Sequence, residues 1–156
     1  MIKRTRLLEY FFSYAENLRQ KDGRKALSAN YLLLAVLKTM DGQNQDQIPR
    51  DLDTEETGKE WDAIVDWLNR NGIKRDAIAF LSKEVASSQY HPLVDELMFG
   101  KLQMAIMEKV ESHEIEEADT TLYLEMIMDA KKCVSNDFWL SDALLDSNRY
   151  RNDKFV

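Results

Sequence analysis

The sequence predicts an all-α fold built from two similar helical units, and three observations support this. Only five Gly and two Pro occur in 156 residues, and no long run of alternating β-branched residues indicates a sheet. Apolar residues recur at three- and four-residue spacing. A pattern also occurs twice, as SANYLLLAVL in residues 28–37 and as DTTLYLEMIM in residues 119–128, each time with a cap-type residue before an apolar run. We therefore expect a pseudo-twofold tandem of two units with about seven to eight helices.

The first unit opens with two helices. We expect the first helix to run from about Thr5 to Gly23, since apolar residues recur at helical spacing before this glycine. These apolar positions are Leu7, Leu8, Phe11, Phe12, Ala15 and Leu18. The second helix is predicted to begin at Ser28 and to continue through Met40. It is apolar on most sides, which is typical of a central helix covered by its neighbours.

Residues 41–57 interrupt the apolar pattern with Gly, Pro, Gln, Asn and many acids. We expect a solvated insertion that holds no core residue. Thr57 and Glu60 have the spacing of a capping box, which would begin a third helix that ends at Gly72. Its apolar stripe is Trp61, Ile64, Val65 and Leu68. Residues 73–85 are predicted to form a fourth helix.

The second unit is predicted to open at Tyr90-His91-Pro92, because proline suits the first turn of a helix. Asp119 is expected to cap a sixth helix. The buried face of the fifth helix is predicted to be Val94, Leu97, Met98, Leu102, Ala105 and Ile106. A last helix is indicated by Phe138, Trp139, Leu140, Ala143 and Leu144.

These elements form one predicted domain over residues 1–146. Unit one spans about 1–88 and includes the insertion 41–57, unit two spans about 89–146, and residues 147–156 have the polarity of a tail or linker. The single Cys133 and the lack of a signal peptide favour a reducing compartment. No apolar run approaches the roughly 20 residues that cross a membrane. We therefore expect a cytoplasmic protein.

The net charge of −7 makes nucleic acid a poor partner, because phosphate binding requires a continuous basic surface. Basic residues are concentrated in residues 1–40, which hold eight basic and three acidic side chains. They are either a solvated helix face or a patch for an acidic partner, and we favour the solvated face. The residues in question are Lys3, Arg4, Arg6, Arg19, Arg24 and Lys25.

The sequence lacks the motifs of known catalytic and cofactor sites. Its five glycines do not form a phosphate-binding loop, and neither an H-E-x-x-H motif nor paired cysteines are present to hold zinc. His113 lies among four acids, which are either a hard-cation site or a solvated loop, and we favour the loop. The acids are Glu111, Glu114, Glu116 and Glu117. Cys133 is interpreted as a buried filler. We expect no cofactor, no metal site and no enzymatic activity.

The order of these patterns resembles the N-terminal domain of Clp-type AAA+ unfoldases, a tandem of two similar four-helix units. That family has a short polar cap before a Leu-rich run, commonly T-E-H-L-L-L-A-L-L, and residues 28–37 match its apolar part. The residues from Ile64 to Ile73, with Gly72 before the last, are similar to a later helix of the family. Tyr90-His91-Pro92 is similar to the aromatic-Thr-Pro start of its second unit. The resemblance spans roughly residues 5–130.

The resemblance implies a non-catalytic docking domain that binds adaptor or substrate proteins for an ATPase ring, with neither nucleic acid nor membrane as a partner. The candidate contact residues start helices in each unit. They are Thr5, Ser28, Ala29 and Asn30 in the first unit, and His91, Asp119, Thr120 and Thr121 in the second.

The polar cap before the Leu-rich run departs from the family pattern. In the Gram-positive branch, the Glu of T-E-H helps to recognise phosphorylated arginine. Ala29 and Thr120 occupy the matching positions, and neither has a carboxylate to pair with a guanidinium. We therefore predict no phosphoarginine binding. The Ser-Ala-Asn cap at Ser28 is closer to the adaptor-binding branch of Gram-negative bacteria.

Other functions stay open. The chain is alternatively a free-standing helical interaction or regulatory protein without an attached ATPase, and a third hypothesis is a DNA-binding regulator that uses the basic first helix. The methionines of the second unit are either core residues or an adaptable apolar groove for peptides, and we favour the core. They are Met98, Met104, Met107, Met126 and Met128.

Overall fold

The computed structural model describes residues 2–41, 52, 54–86 and 92–133, with the backbone alone for 92–94 and 131–133. The described residues form six helices and no strand, which confirms the all-α prediction. The helices are α1 (Arg6–Lys21), α2 (Ala29–Met40), α3 (Glu55–Arg70), α4 (Asp76–Ala86), α5 (Pro92–Glu111) and α6 (Thr120–Cys133). An isolated parallel bridge joins Arg4 to Ala118.

Several predictions concern residues outside the described part. The helix indicated by Phe138 to Leu144, the tail 147–156, most of the insertion and His91 all lie there, and so does the side chain of Cys133. The tandem of two units, the boundaries near residues 88 and 146, and the count of about seven to eight helices stay predictions.

The centre of the core is α2. All of its residues except Lys38 are buried, because α1, α4 and α5 all pack against it. Its sequence predicted this central position, since it is apolar on nearly every side. The largest fully buried side chains nearby include Phe11 of α1 and Phe99 of α5.

Two of the predicted helix stops are glycines in the left-handed region, where a side chain would be strained. Gly23 follows α1 with φ +70°, and Gly72 follows α3 with φ +68°. In each case the next amide returns to the helix, with Arg24 N donating to Arg19 O at 3.2 Å in the first turn. Both predicted stops are confirmed.

The predicted capping box of Thr57 and Glu60 is wrong. Helix α3 begins at Glu55, and its N-cap is Thr54, whose side chain accepts a hydrogen bond from Thr57 N at 3.2 Å. The acids of the first turn favour this earlier start because they lie at the positive end of the helix dipole. The insertion is therefore shorter than predicted, and one of its residues, Leu52, is buried.

The buried face of α5 also differs from the prediction. Leu102 and Ile106 are buried as expected, but Leu97 is 59% exposed, whereas Asp95 and Phe99 are buried. The face is rotated by close to one residue because the Phe99 ring packs against those of Phe12 and Tyr123, with centroids 6.1 and 6.3 Å away. Apolar periodicity does not define a face on a helix that is apolar on all sides. Among the described residues, no helix is long and apolar enough to span a membrane.

Candidate functional site

The start of α1 lies against the start of α6. Thr5 N donates to Ala118 O at 3.0 Å, and Ala118 N donates to Lys3 O at 2.8 Å. Thr5 is the N-cap of α1, and its hydroxyl accepts from Leu8 N at 3.2 Å. The structure therefore brings a predicted contact residue, Thr5, close to the start of α6 at Thr120.

Glu60 of α3 links these two helix starts. Its Oε2 accepts hydrogen bonds from the Thr5 hydroxyl at 3.0 Å, from Thr120 N at 2.9 Å and from the Thr120 hydroxyl at 2.6 Å. We call these three residues the Glu60 cluster. A carboxylate in this position satisfies an amide that has no partner within the helix, and it is favoured by the positive end of the α6 dipole. The cluster thus joins α1, α3 and α6.

Asp119 caps α6 as the sequence predicts. Its Oδ1 accepts from Leu122 N at 2.9 Å and from the Thr121 hydroxyl at 3.0 Å. Side-chain acceptance from the third amide of a helix is the usual N-cap contact. These hydrogen bonds give Asp119 and Thr121 a structural role, in addition to the docking role that the resemblance implies.

The start of α2 receives a carboxylate from another helix in the same way. Asn30 N donates to Asp95 Oδ2 of α5 at 3.1 Å, and both residues are fully buried. Ser28 is the N-cap by backbone geometry, but its side chain makes no capping hydrogen bond. Helices α2 and α6, which carry the two copies of the sequence pattern, therefore each begin beside an acid from a different helix. No sequence pattern near residue 28 identifies Asp95 as that acid.

Burial divides the predicted contact residues into two groups. Ser28, Ala29, Asn30 and Thr120 are buried, so a docked protein does not reach their side chains in this conformation. Thr5, Asp119 and Thr121 are partly exposed. Among the described residues, the accessible part of the predicted docking surface is therefore limited to Thr5, Asp119 and Thr121.

Arg4 connects α1 to α5 beside this cluster. Its Nη2 donates to Gln103 Oε1 at 3.1 Å, and its guanidinium lies 3.8 Å from the centroid of the Phe12 ring. The Tyr123 hydroxyl lies 3.4 Å from the same Gln103 oxygen. Burial raises the pKa of Tyr123, although the neighbouring Arg4 opposes that shift. Arg4 therefore belongs to the packing between helices.

Two more of the basic residues hold the turn between α1 and α2. Arg19 pairs with Glu16 and donates to the backbone carbonyl of Arg24. Arg24 Nη2 in turn donates to Val85 O at the end of α4, at 2.7 Å. In these contacts, the guanidinium groups of Arg19 and Arg24 both bind other parts of the chain. They leave the basic surface less continuous than the sequence suggests.

Exposed apolar side chains are grouped on the outer side of α5, with Lys101 exposed among them. Leu97 and Met104 are 59% and 65% exposed, and Met107 is exposed beside them. Gly100, also exposed, occupies the same side, since residues three and four apart are neighbours on a helix. We call Leu97, Gly100, Met104 and Met107 the α5 face. Of the other methionines in the predicted second unit, Met128 is buried and Met98 and Met126 are partly buried. The methionines of this part of the chain therefore include both core and surface positions.

The acidic turn between α5 and α6 has a structural explanation. His113 has φ +60°, and Glu114 N donates to Lys109 O at 3.0 Å, which closes the end of α5 as the glycines close α1 and α3. In the part of the chain that the structure describes, no three His, Cys, Asp or Glu side chains are grouped to hold a metal ion. The interpretation as a solvated loop fits the exposure of His113.

A shallow polar cleft of about 290 Å³ lies between the end of α3 and α6. Its lining residues are Trp67, Arg70, Asn71, Glu125, Met128 and Asp129. Arg70 pairs with Asp66, and Asn71 Nδ2 donates to Trp67 O at 2.8 Å. These contacts are those of an ordinary helix end, and we assign the cleft no ligand.

Comparison with protein-family models finds no match for this chain, and searches of the curated proteins and of the solved structures find none either.

Proposed function

We propose that this chain is a non-catalytic protein-docking domain that binds adaptor or substrate proteins for a Clp-type ATP-dependent unfoldase. The α5 face is the observation that carries the docking proposal. Three of the four exposed large hydrophobic side chains among the described residues lie on this one helix. A grouped apolar surface on a helix is typical of a site that binds another protein.

The link to Clp-type unfoldases rests on the order of the sequence patterns, and two contacts support the two-unit arrangement it assumes. Thr5 at the first helix start donates to Ala118 O just before the sixth helix, and Asn30 at the second helix start donates to Asp95 on the fifth. Contacts exchanged between the halves are expected of a tandem that folds as one domain. The buried carboxylate of Asp95 accepts a hydrogen bond from an amide at a helix start, which is a structural use rather than a catalytic one.

We also propose that the domain does not bind phosphoarginine. In addition to the missing Glu, the carboxylates that do lie at these helix starts, from Glu60 and Asp95, already accept hydrogen bonds from amides of the chain. Since a phosphate would be repelled by these acids, we expect no saturable binding of a phosphoarginine peptide in calorimetric titration. Micromolar binding that is lost in Thr5→Ala and Thr121→Ala would overturn this proposal.

The docking function is tested by joining the chain to an N-domain-deleted Clp-type unfoldase. The measured quantity is the rate at which the chimera, with its protease, degrades fluorescein-labelled casein. We expect the chain to restore degradation above that of the deleted ring, and Leu97→Gln with Met104→Gln to remove the gain. Asp62→Gln, an exposed position of α3, is the control variant. A chimera no faster than the deleted ring, with casein or with an added adaptor, contradicts the proposal.

A free-standing interaction protein is the second candidate, and the same α5 face favours it. The chimera separates the two functions, because a free-standing regulator has no reason to deliver casein to an attached ring.

A further inference from the structure

We propose that the α5 face binds a basic amphipathic helix of a partner protein, with the partner's apolar stripe across Gly100 and its lysines or arginines toward the acidic end of α5. This inference rests on the proposed docking function and specifies the chemistry of the partner. It follows from the shape of the face, from the charges at its end and from its length.

Gly100 gives the face its shape. It lies between Leu97 and Met104 on the exposed side of α5, and a Cβ atom added there would meet nothing within 4 Å. The described structure therefore has no packing reason for a glycine, which weakens a helix interior relative to alanine. A notch flanked by two exposed apolar side chains accepts an apolar side chain from a second helix, as a hole accepts a knob. Helix-in-groove recognition uses anchors of this kind.

The charges around the face determine which sign of charge the partner helix is expected to carry. Lys101, which is exposed between Leu97 and Met104, adds one positive charge to the face itself, but beyond Met104 the exposed residues of α5 and of the turn that follows are mostly acids. They are Glu108, Glu111, Glu114, Glu116 and Glu117. Lys109 is paired with Glu114 at 3.4 Å and so offsets one of them. A basic segment is attracted to this end, whereas an acidic segment is repelled.

The length of the face sets the length of the partner helix. Leu97 and Met107 are ten positions apart, and a helix rises about 1.5 Å per residue, so the face extends over about 15 Å, or roughly three turns. A partner helix of about 12 to 14 residues covers it. Apolar residues at three- and four-residue spacing in that helix would contact both Leu97 and Met104.

The test titrates the full chain with synthetic peptides and follows binding by fluorescence anisotropy. The first peptide has about 14 residues of Leu and Lys, with leucines at helical three- and four-residue spacing. Its two controls are a scrambled peptide of the same composition and an amphipathic Leu/Glu peptide. We expect the first peptide to bind at least about tenfold tighter than either control at low salt, and this preference to shrink at about 0.5 M salt because exposed charges are then screened.

Paired variants locate the binding site. Gly100→Leu fills the notch, and its matched control is Gly58→Leu, another exposed helical glycine with open space around it. Glu108→Lys reverses a charge at the face, and Asp62→Lys makes the same change on α3. We expect Gly100→Leu and Glu108→Lys each to weaken binding at least about fivefold, with the controls within about twofold of the unchanged chain.

Other occupants of the face give different results. If both members of each pair behave alike, the peptide binds by general charge attraction and the inference is overturned. It is also overturned if the peptide binds only after deletion of residues 134–156, since the chain's own segment would then be the occupant of the face. A dimer that Gly100→Leu dissociates would identify a second copy instead. An active chimera with no peptide binding retains the docking function and removes this partner class.

Discussion

The carboxylate of Glu60 and the first residue of α6, Thr120, are joined by two hydrogen bonds of 2.9 and 2.6 Å to the same oxygen. Sixty positions separate the two residues. An acid of α3 therefore accepts the hydrogen bond from a helix-start amide that a side chain next to the helix start usually accepts. The same oxygen also accepts from Thr5 of α1 at 3.0 Å. The hydrogen bonds to this one carboxylate therefore link three helices, α1, α3 and α6.

Replacement of Glu60 should destabilise the whole fold. Glu60→Ala removes the acceptor of three hydrogen bonds and leaves the buried hydroxyl and amide of Thr120 without it, so we expect a loss of about 2 to 3 kcal/mol in the free energy of unfolding. Glu60→Gln keeps one acceptor oxygen and should cost less. Urea unfolding measures both, with exposed Asp62→Ala as the control. Equal stabilities of Glu60→Ala and Asp62→Ala would show that the cluster contributes nothing.

Asp95 should protect the start of α2. Its Oδ2 accepts from Asn30 N at 3.1 Å in the fully buried interior, so Asp95→Ala leaves that amide without its acceptor at a cost of about 1 to 3 kcal/mol. We expect hydrogen exchange at the Asn30 amide to accelerate more than exchange at Leu37, near the other end of the helix. Uniform acceleration along α2 would mean that Asp95 acts on global stability alone.

Much of the fold is predictable from local pattern. The central α2, the stops at Gly23 and Gly72 and the cap at Asp119 each depend on residues within a few positions of one another, and all four are found. The start of α3 is not predicted correctly, because the spacing of Thr57 and Glu60 matches a capping box, whereas the structure uses Thr54 as the N-cap and places the acids Glu55 and Glu56 in the first turn. Long-range contacts decide the choice, since Glu60 is used elsewhere.

The candidate site is less predictable for the same reason. Asp95 and Glu96 are adjacent acids within an otherwise apolar stretch, and nothing local pairs Asp95 with Asn30. Leu97 was expected in the core and is on the surface, because a helix with apolar residues all round is oriented by ring packing at Phe99. The α5 face is therefore defined by tertiary packing. The one feature of the sequence that points to it is Gly100, which no packing contact among the described residues explains.

Alkaline pH should destabilise the chain through Tyr31. This residue is buried in α2, and its hydroxyl donates to Asp22 Oδ2 at 2.9 Å. Burial, then the contact with Asp22, raises the pKa of Tyr31 from 10.0 to about 12. The folded state favours the neutral phenol, so its contribution is fully present below about pH 10 and is lost as the pH rises through about 12. In Tyr31→Phe, the free energy of unfolding should fall less steeply with rising pH over this window than in the unchanged chain. Equal slopes for the two proteins would contradict the assignment of this pH dependence to Tyr31.

His113 should be replaceable by glycine with a gain in stability. At φ +60° a residue with a Cβ is strained by roughly 1 to 2 kcal/mol, and glycine removes that strain while adding freedom to the unfolded chain. We expect His113→Gly to raise the free energy of unfolding by about 0.5 to 1 kcal/mol in urea titration. Gly23→Ala is the reverse change in the same kind of turn, at φ +70° with open space for the methyl group, and should lower it by about 1 kcal/mol. If His113→Gly is destabilising instead, the imidazole contributes more to the turn than its backbone strain costs.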